Sequence, residues 1–156
     1  SGKKWKQQGR QPLALELVAD VDGAWTTTVQ AATDAWSLSQ SVDLSIVAPA
    51  PFTECEHPVS GKIKLCIKDL GISGGSRVSL YCSLVVGPCK TIIAAMVQIN
   101  TFYNPSPDSL LVCRFFGQAL GLIDSVPPQA DSCMGGSGTI PNQHDYDQLA
   151  VVYPVH

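Results

Sequence analysis

Arg114, Gln118 and Asp124 are the polar side chains in an otherwise apolar stretch, Leu111-Val-Cys-Arg-Phe-Phe-Gly-Gln-Ala-Leu-Gly-Leu-Ile-Asp124. Residues four apart on a helix share a face, so Arg114 and Gln118 project together. Their chemistry is narrow. Arginine keeps its proton and offers only donors, so Arg114 can neither ligate a cation nor act as a base. Gln118 and Asp124 can supply oxygen atoms, but two oxygens beside a guanidinium make a poor zinc site, because zinc prefers imidazole and thiolate.

Other chemically capable residues lack a working pattern. His57, His144 and His156 share no metal-ligand spacing. The Gly135-Gly-Ser-Gly138 run lacks the lysine and following hydroxyl of a phosphate-binding loop. Cys113 is the one thiol with an electropositive neighbour, Arg114, and catalysis would need it free. Asp145 and Asp147 suit the start of a helix, whose amide dipoles favour negative charge. No Asn-x-Ser/Thr acceptor site occurs.

Anchored on Gly121, the stretch resembles the active-site helix of the metzincin zinc proteases, H-E-x-x-H-x-x-G-x-x-H. There two histidines on one helix face grip the metal, the Glu activates water, and the Gly turns the chain so that a third ligand reaches the ion. Leu120-Gly121-Leu122 keeps that turn. Arg114 stands at the first His, Phe115 at the Glu, Gln118 at the second His and Asp124 at the third. The resemblance extends to Cys113 at the helix opening, to Cys133 before the Met134 of the Met turn, and to Pro141-Asn-Gln-His-Asp-Tyr-Asp-Gln-Leu149 with Val152-Tyr153. Trp5, the Trp25 to Trp36 segment, and Cys55 with Cys66 are likewise similar to a small secreted microbial matrixin-like group. His144 matches a helix-start position of that group.

The resemblance implies an α+β fold: a twisted, mixed five-stranded sheet with a backing helix, a central former active-site helix, the Met turn and a C-terminal helix. It also implies that the side chains at 114, 118 and 124 converge. An ion pair between Arg114 and Asp124, with a hydrogen bond from Gln118, would then stand where zinc stood. The alternative has both charges reaching solvent across an open cleft. Phe115 either plugs that cleft or floors a pocket for a peptide or small ligand. No catalytic residue, metal or cofactor is expected. The implied function is that of a secreted, catalytically inactive metalloprotease-like protein that binds a peptide, a protein or a cell-wall polymer, as an effector or a decoy for protease inhibitors. A hydrolase with altered or relocated metal chemistry is the rival reading, and a purely structural secreted protein a third.

Composition sets the frame for those elements. A chain of 156 residues, 45% hydrophobic and 15% charged, suits one domain and contains no apolar run long enough to span a bilayer. Six cysteines without a C-x-x-C pair read as three disulfides, hence an oxidising compartment; no signal-peptide pattern opens the chain, so a mature, trimmed form is expected. Fifteen pairings are possible. Local spacing favours Cys55 with Cys66, Cys82 with Cys89 across Gly87-Pro88, and Cys113 with Cys133. Of the net charge of −3, Lys3, Lys4, Lys6 and Arg10 put +4 into the first ten residues. Residues 1–11 thus read as a basic arm, solvated and frayed or in contact with an acidic polymer, and 12–156 as one domain. Without a basic helix or an aromatic-basic sheet pattern, nucleic acid is not an expected partner. A monomer is expected.

Periodicity locates the elements that must hold the polar trio. Strands are expected at Pro12 to Ala19, Val42 to Val47, Lys62 to Ile67 with both lysines on the wet side, Arg77 to Val85, and Thr91 to Asn100. Asp22 and Gly23 start a helix over about 23–38, whose Trp25, Val29, Ala32 and Trp36 form a core stripe. Pro49 and Pro51 close the second strand. Asp108 is the expected N-cap of the helix carrying Arg114 and Gln118, which is apolar nearly all round and so central. Pro141 or Asn142 opens a last helix through Leu149 to about Tyr153.

Overall fold

The computed structural model describes residues 2–21, 23–48, 55–83 and 87–156. In chain order its elements are β1 (Lys4–Trp5), β2 (Leu13–Val21), α1 (Thr26–Trp36), β3 (Val42–Val47), β4 (Ile63–Lys68), β5 (Arg77–Cys82), β6 (Thr91–Asn100), α2 (Ser109–Ala119) and α3 (Gln143–Val152). Asp22, Pro49, Pro51 and Val85, which were expected to bound elements, lie outside the described residues.

The fold is mixed α+β, with one mostly parallel sheet ordered β1-β6-β4-β2-β3 and β5 antiparallel to β6. Among the described residues the sheet has six strands, not five. The added strand, β1, pairs only Lys4 with Thr91 and Trp5 with Ile92, and two residues carry no periodicity to detect. Trp5 is buried in the core, so the basic arm is tied to the sheet at this point. β2 and β3 run parallel, which requires a crossover, and α1 supplies it. The stripe of Trp25, Val29, Ala32 and Trp36 lies in the core with Leu13, Leu15 and Leu17 of β2.

The alternation in β4 does not mark a wet face. Lys62 is on the wet side and pairs with Glu16 at 2.5 Å, but Lys64 is fully buried. β4 lies between β2 and β6 with parallel partners on both sides, and a central parallel strand is covered on both faces. Ile63, Leu65 and Ile67 join the helix-facing core. Lys64 and Cys66 point to the other face, level with Val18 and Asp20 of β2 and Met96 and Gln98 of β6. The Cys55–Cys66 disulfide draws the chain onto that face, and the Gln98 amide donates to the Cys55 carbonyl at 3.0 Å.

All six cysteines are paired as spacing favoured, Cys55–Cys66, Cys82–Cys89 and Cys113–Cys133, with Cα separations of 5.5, 5.5 and 6.0 Å. Among the described residues no helix is long and apolar enough to cross a membrane.

The Lys64 amine has no hydrogen-bond partner among the described residues, and burial lowers its pKa against the pull of Asp20. Lys64→Met should therefore stabilise the protein by about 1–3 kcal/mol at neutral pH in urea unfolding. The gain should shrink as pH rises toward about 10.4, the ordinary lysine value. Between the lowered folded pKa and that value the unfolded wild type binds more protons than the folded one, so the wild type gains stability with pH. A variant no more stable than wild type, or a gap that does not change with pH, would contradict this placement.

Candidate functional site

The polar trio depends on how α2 is seated. Asp108 caps the helix, its side chain accepting from the Leu111 N–H at 3.0 Å. Val112, Cys113, Phe116, Gly117 and Ala119 are buried, leaving Arg114 and Gln118 half-buried one turn apart. Gly117 marks the closest approach: a Cβ there would overlap the Met134 sulfur and sit 2.7 Å from Trp36 Cζ2. The Trp36 indole donates to the Cys113 carbonyl at 3.0 Å, and the Cys113–Cys133 bridge ties the same turn to the segment holding Met134.

At the far end of α2 the chain reverses at Gly121, whose φ of +93° is costly for any residue with a side chain. The reversal returns Asp124 to the face carrying Arg114. Arg114 Nε donates to Asp124 Oδ1 at 3.0 Å and Nη2 donates to Oδ2, a two-point contact. Gln118, one turn along the helix, also favours the ionised form of this carboxylate. The guanidinium holds the Asp124 carboxyl below its ordinary range, chiefly through the hydrogen bond from Arg114, opposed by desolvation and aided by charge attraction and by Gln118. The same hydrogen bond raises Arg114. The two side chains remain 36% and 34% exposed, so water screens much of their attraction. Phe115 is half-buried and packs against the core.

This arrangement sets a guanidinium–carboxylate pair beside a half-buried amide. Among the described residues no three His, Cys, Asp or Glu side chains are grouped as metal ligands would be. His57, His144 and His156 are all exposed and are not brought together; His144 Nδ1 lies 3.9 Å from Asp145 Oδ1.

The turn at Met134 is welded to its surroundings. The Met134 N–H donates to Ser132 Oγ at 2.7 Å, and the Met134 carbonyl accepts from the Ser125 N–H at 3.0 Å and Ser125 Oγ at 2.6 Å. Ser132 Oγ donates to Asp145 Oδ2 at 2.7 Å. Asp145 also completes a capping box with Asn142, so this buried carboxylate joins the turn to the start of α3. Asp147, by contrast, accepts from the exposed Gln143 side chain at 2.8 Å. Asn142, rather than Pro141, is the N-cap.

Sequence reasoning missed a cleft of about 630 Å³ beside the trio. Its lining includes Lys3, Lys4, Ile123, Val126, Gln148 and Val151, and it shares Asp124 with the ion pair but neither Arg114 nor Gln118. No spacing rule brings residues 3, 124 and 151 together. Compared with protein-family models and with curated proteins, the chain matches none.

Two outcomes test this geometry. Arg114→Gln should cost less than about 1 kcal/mol at neutral pH, as exposed pairs do. That cost should vanish as pH falls through the depressed pKa of Asp124, because a lowered carboxyl stabilises only where it is ionised; an effect undiminished at that acidity would contradict the pairing. Gly117→Ala should destabilise by about 1–3 kcal/mol in thermal unfolding, through overpacking against Met134 and Trp36, and a neutral effect would refute the close approach.

Proposed function

We propose that this chain is a secreted, catalytically inactive metalloprotease-like protein of metzincin type, acting by binding a peptide, a protein or a cell-surface polymer as an effector or decoy. The observation that carries the reading is the Arg114–Asp124 pair, with Gln118 favouring the ionised carboxylate. In the metzincin pattern these are three ligand positions, and a guanidinium among them opposes any cation. Metal-bound water would have a pKa near 7 instead of about 15.7, and without it the cleft has no nucleophile ready at neutral pH. Phe115 at the position of the general base removes proton transfer as well.

Secretion is supported by three disulfides in a chain of this size, which belong to an oxidising compartment. Each bridge contributes about 2–4 kcal/mol in the chain-entropy account, so such a scaffold can persist without a structural metal.

The test joins metal analysis of the purified protein to a broad peptidase assay with and without a chelator. The reading predicts substoichiometric zinc and no cleavage above background. Stoichiometric zinc with chelator-sensitive cleavage would overturn it in favour of a hydrolase with altered metal chemistry.

A further inference from the structure

Lys64 and Cys66 lie two residues apart on the face of β4 turned away from the helices, a spacing of about 7 Å that a lysine side chain can bridge. Both are fully buried. Across the sheet Lys64 is level with Val18 and Met96, whose side chains are apolar and also buried, and its amine has no hydrogen-bond partner among the described residues. The charged groups around it on this face are already engaged. Lys62 pairs with Glu16 at 2.5 Å; Asp20, level with Cys66, pairs with Lys68 at 2.6 Å; and Arg77 Nε donates to Gln98 Oε1 at 2.8 Å. The Lys64 amine is left without an anion of its own.

The Cys55–Cys66 bridge ends beside that amine and can be attacked from one side only. Cys55 is half-buried, is followed by the exposed Glu56, His57 and Pro58, and has its carbonyl held by the Gln98 amide at 3.0 Å. A thiolate from solvent therefore meets Cys55, and the buried Cys66 becomes the leaving group. A sulfur leaves faster the lower its pKa, and a neighbouring lysine lowers it, more strongly where water is absent. Burial keeps the Lys64 pKa down while the bridge is closed, and a thiolate beside it would raise that pKa. The other bridges lack this combination. Both cysteines of Cys113–Cys133 are fully buried, out of reach of a thiol. Cys82–Cys89 is half-buried at both ends, but the neighbouring Lys90 is exposed and screened by water.

We propose that Cys55–Cys66 is an exchange site for a low-molecular-weight thiol, with Lys64 as the positioning residue that stabilises the departing Cys66 sulfur. The incoming thiolate forms a bond to Cys55 Sγ, the Cys55–Cys66 bond breaks, and the electron pair of that bond leaves on Cys66 as a thiolate. One disulfide replaces another, so no oxidant is consumed. The proton of the incoming thiol passes to solvent, or to the Lys64 amine where that amine is neutral. An ammonium–thiolate pair remains in the sheet, and Cys55 carries the mixed disulfide. This chemistry stands apart from the Arg114 site and does not rest on the metalloprotease-like reading.

Peptide mapping by mass spectrometry tests it, on the full chain equilibrated with reduced and oxidised glutathione and trapped with iodoacetamide. Glutathione should appear on Cys55 with Cys66 alkylated, before either of the other bridges opens. Lys64→Met should lower the equilibrium constant of this exchange at least tenfold. In Cys55→Ser, which leaves Cys66 as the one free thiol, the ultraviolet absorbance of the thiolate should titrate below about 8.5, the ordinary cysteine value. Adding Lys64→Met to that variant should return the titration to the ordinary value or above, a shift that a purely structural lysine would not produce. Adducts that form first on Cys82 or Cys89, an adduct on Cys66 in place of Cys55, equal exchange constants in wild type and Lys64→Met, or a Cys66 thiol at its ordinary value would each overturn the proposal. The exchange constants decide it even if Cys55→Ser does not fold.

Discussion

The seating of α2 is the constraint on which the rest of the molecule depends. A helix so apolar has to be buried, and a buried helix must have its terminal backbone groups satisfied by something other than water. At its start Asp108 does this. At its end the partners come from both extremes of the chain: the Trp5 indole donates to the Ala119 carbonyl, and the Tyr153 hydroxyl donates to the Leu120 carbonyl at 2.6 Å. Burial pushes the Tyr153 phenol up to about 12, so it stays a donor across the physiological range. Two aromatic side chains thus turn the exit of one helix into the meeting point of the two termini.

From this seat both surface features follow. Because Gly117 lets Trp36 and Met134 close on the helix, α2 cannot rotate without opening the core, and Arg114 and Gln118 are fixed on one face. Because Gly121 reverses the chain under the Lys3 carbonyl, the same turn delivers Asp124 to Arg114 on one side and lines the neighbouring cleft on the other. In the proposed function the ion pair stands in for a metal as the local electrostatic centre. The stability of the region rests on packing, on the Cys113–Cys133 bridge and on the Ser132–Asp145 link, none of which needs a cation.

Much of this was legible in the sequence wherever a signal was local. The stripe of Trp25, Val29, Ala32 and Trp36 repeats at helical spacing, Asp108 and Asn142 are short polar side chains placed before periodic runs, and the disulfide partners lie close in the chain. The ion pair was one of two outcomes open for Arg114 and Asp124, and only the turn at Gly121 decides between them. What escaped was set by tertiary context. Lys64 alternates as an exposed residue would, but β4 is flanked by parallel strands and covered on both faces. β1 is too short to carry a pattern, and the burial of Trp5 depends on a carbonyl more than a hundred residues away. The cleft joins three remote segments, so no spacing within any of them announces it.

The central claim is that a guanidinium and carboxylate occupy the place a metal would need. Diffraction from crystals grown with zinc and measured at the zinc absorption edge tests this most directly. The account predicts Arg114 paired with Asp124 and no anomalous peak among residues 114, 118 and 124. A zinc peak there, with Asp124 turned from Arg114 to the metal, would contradict it.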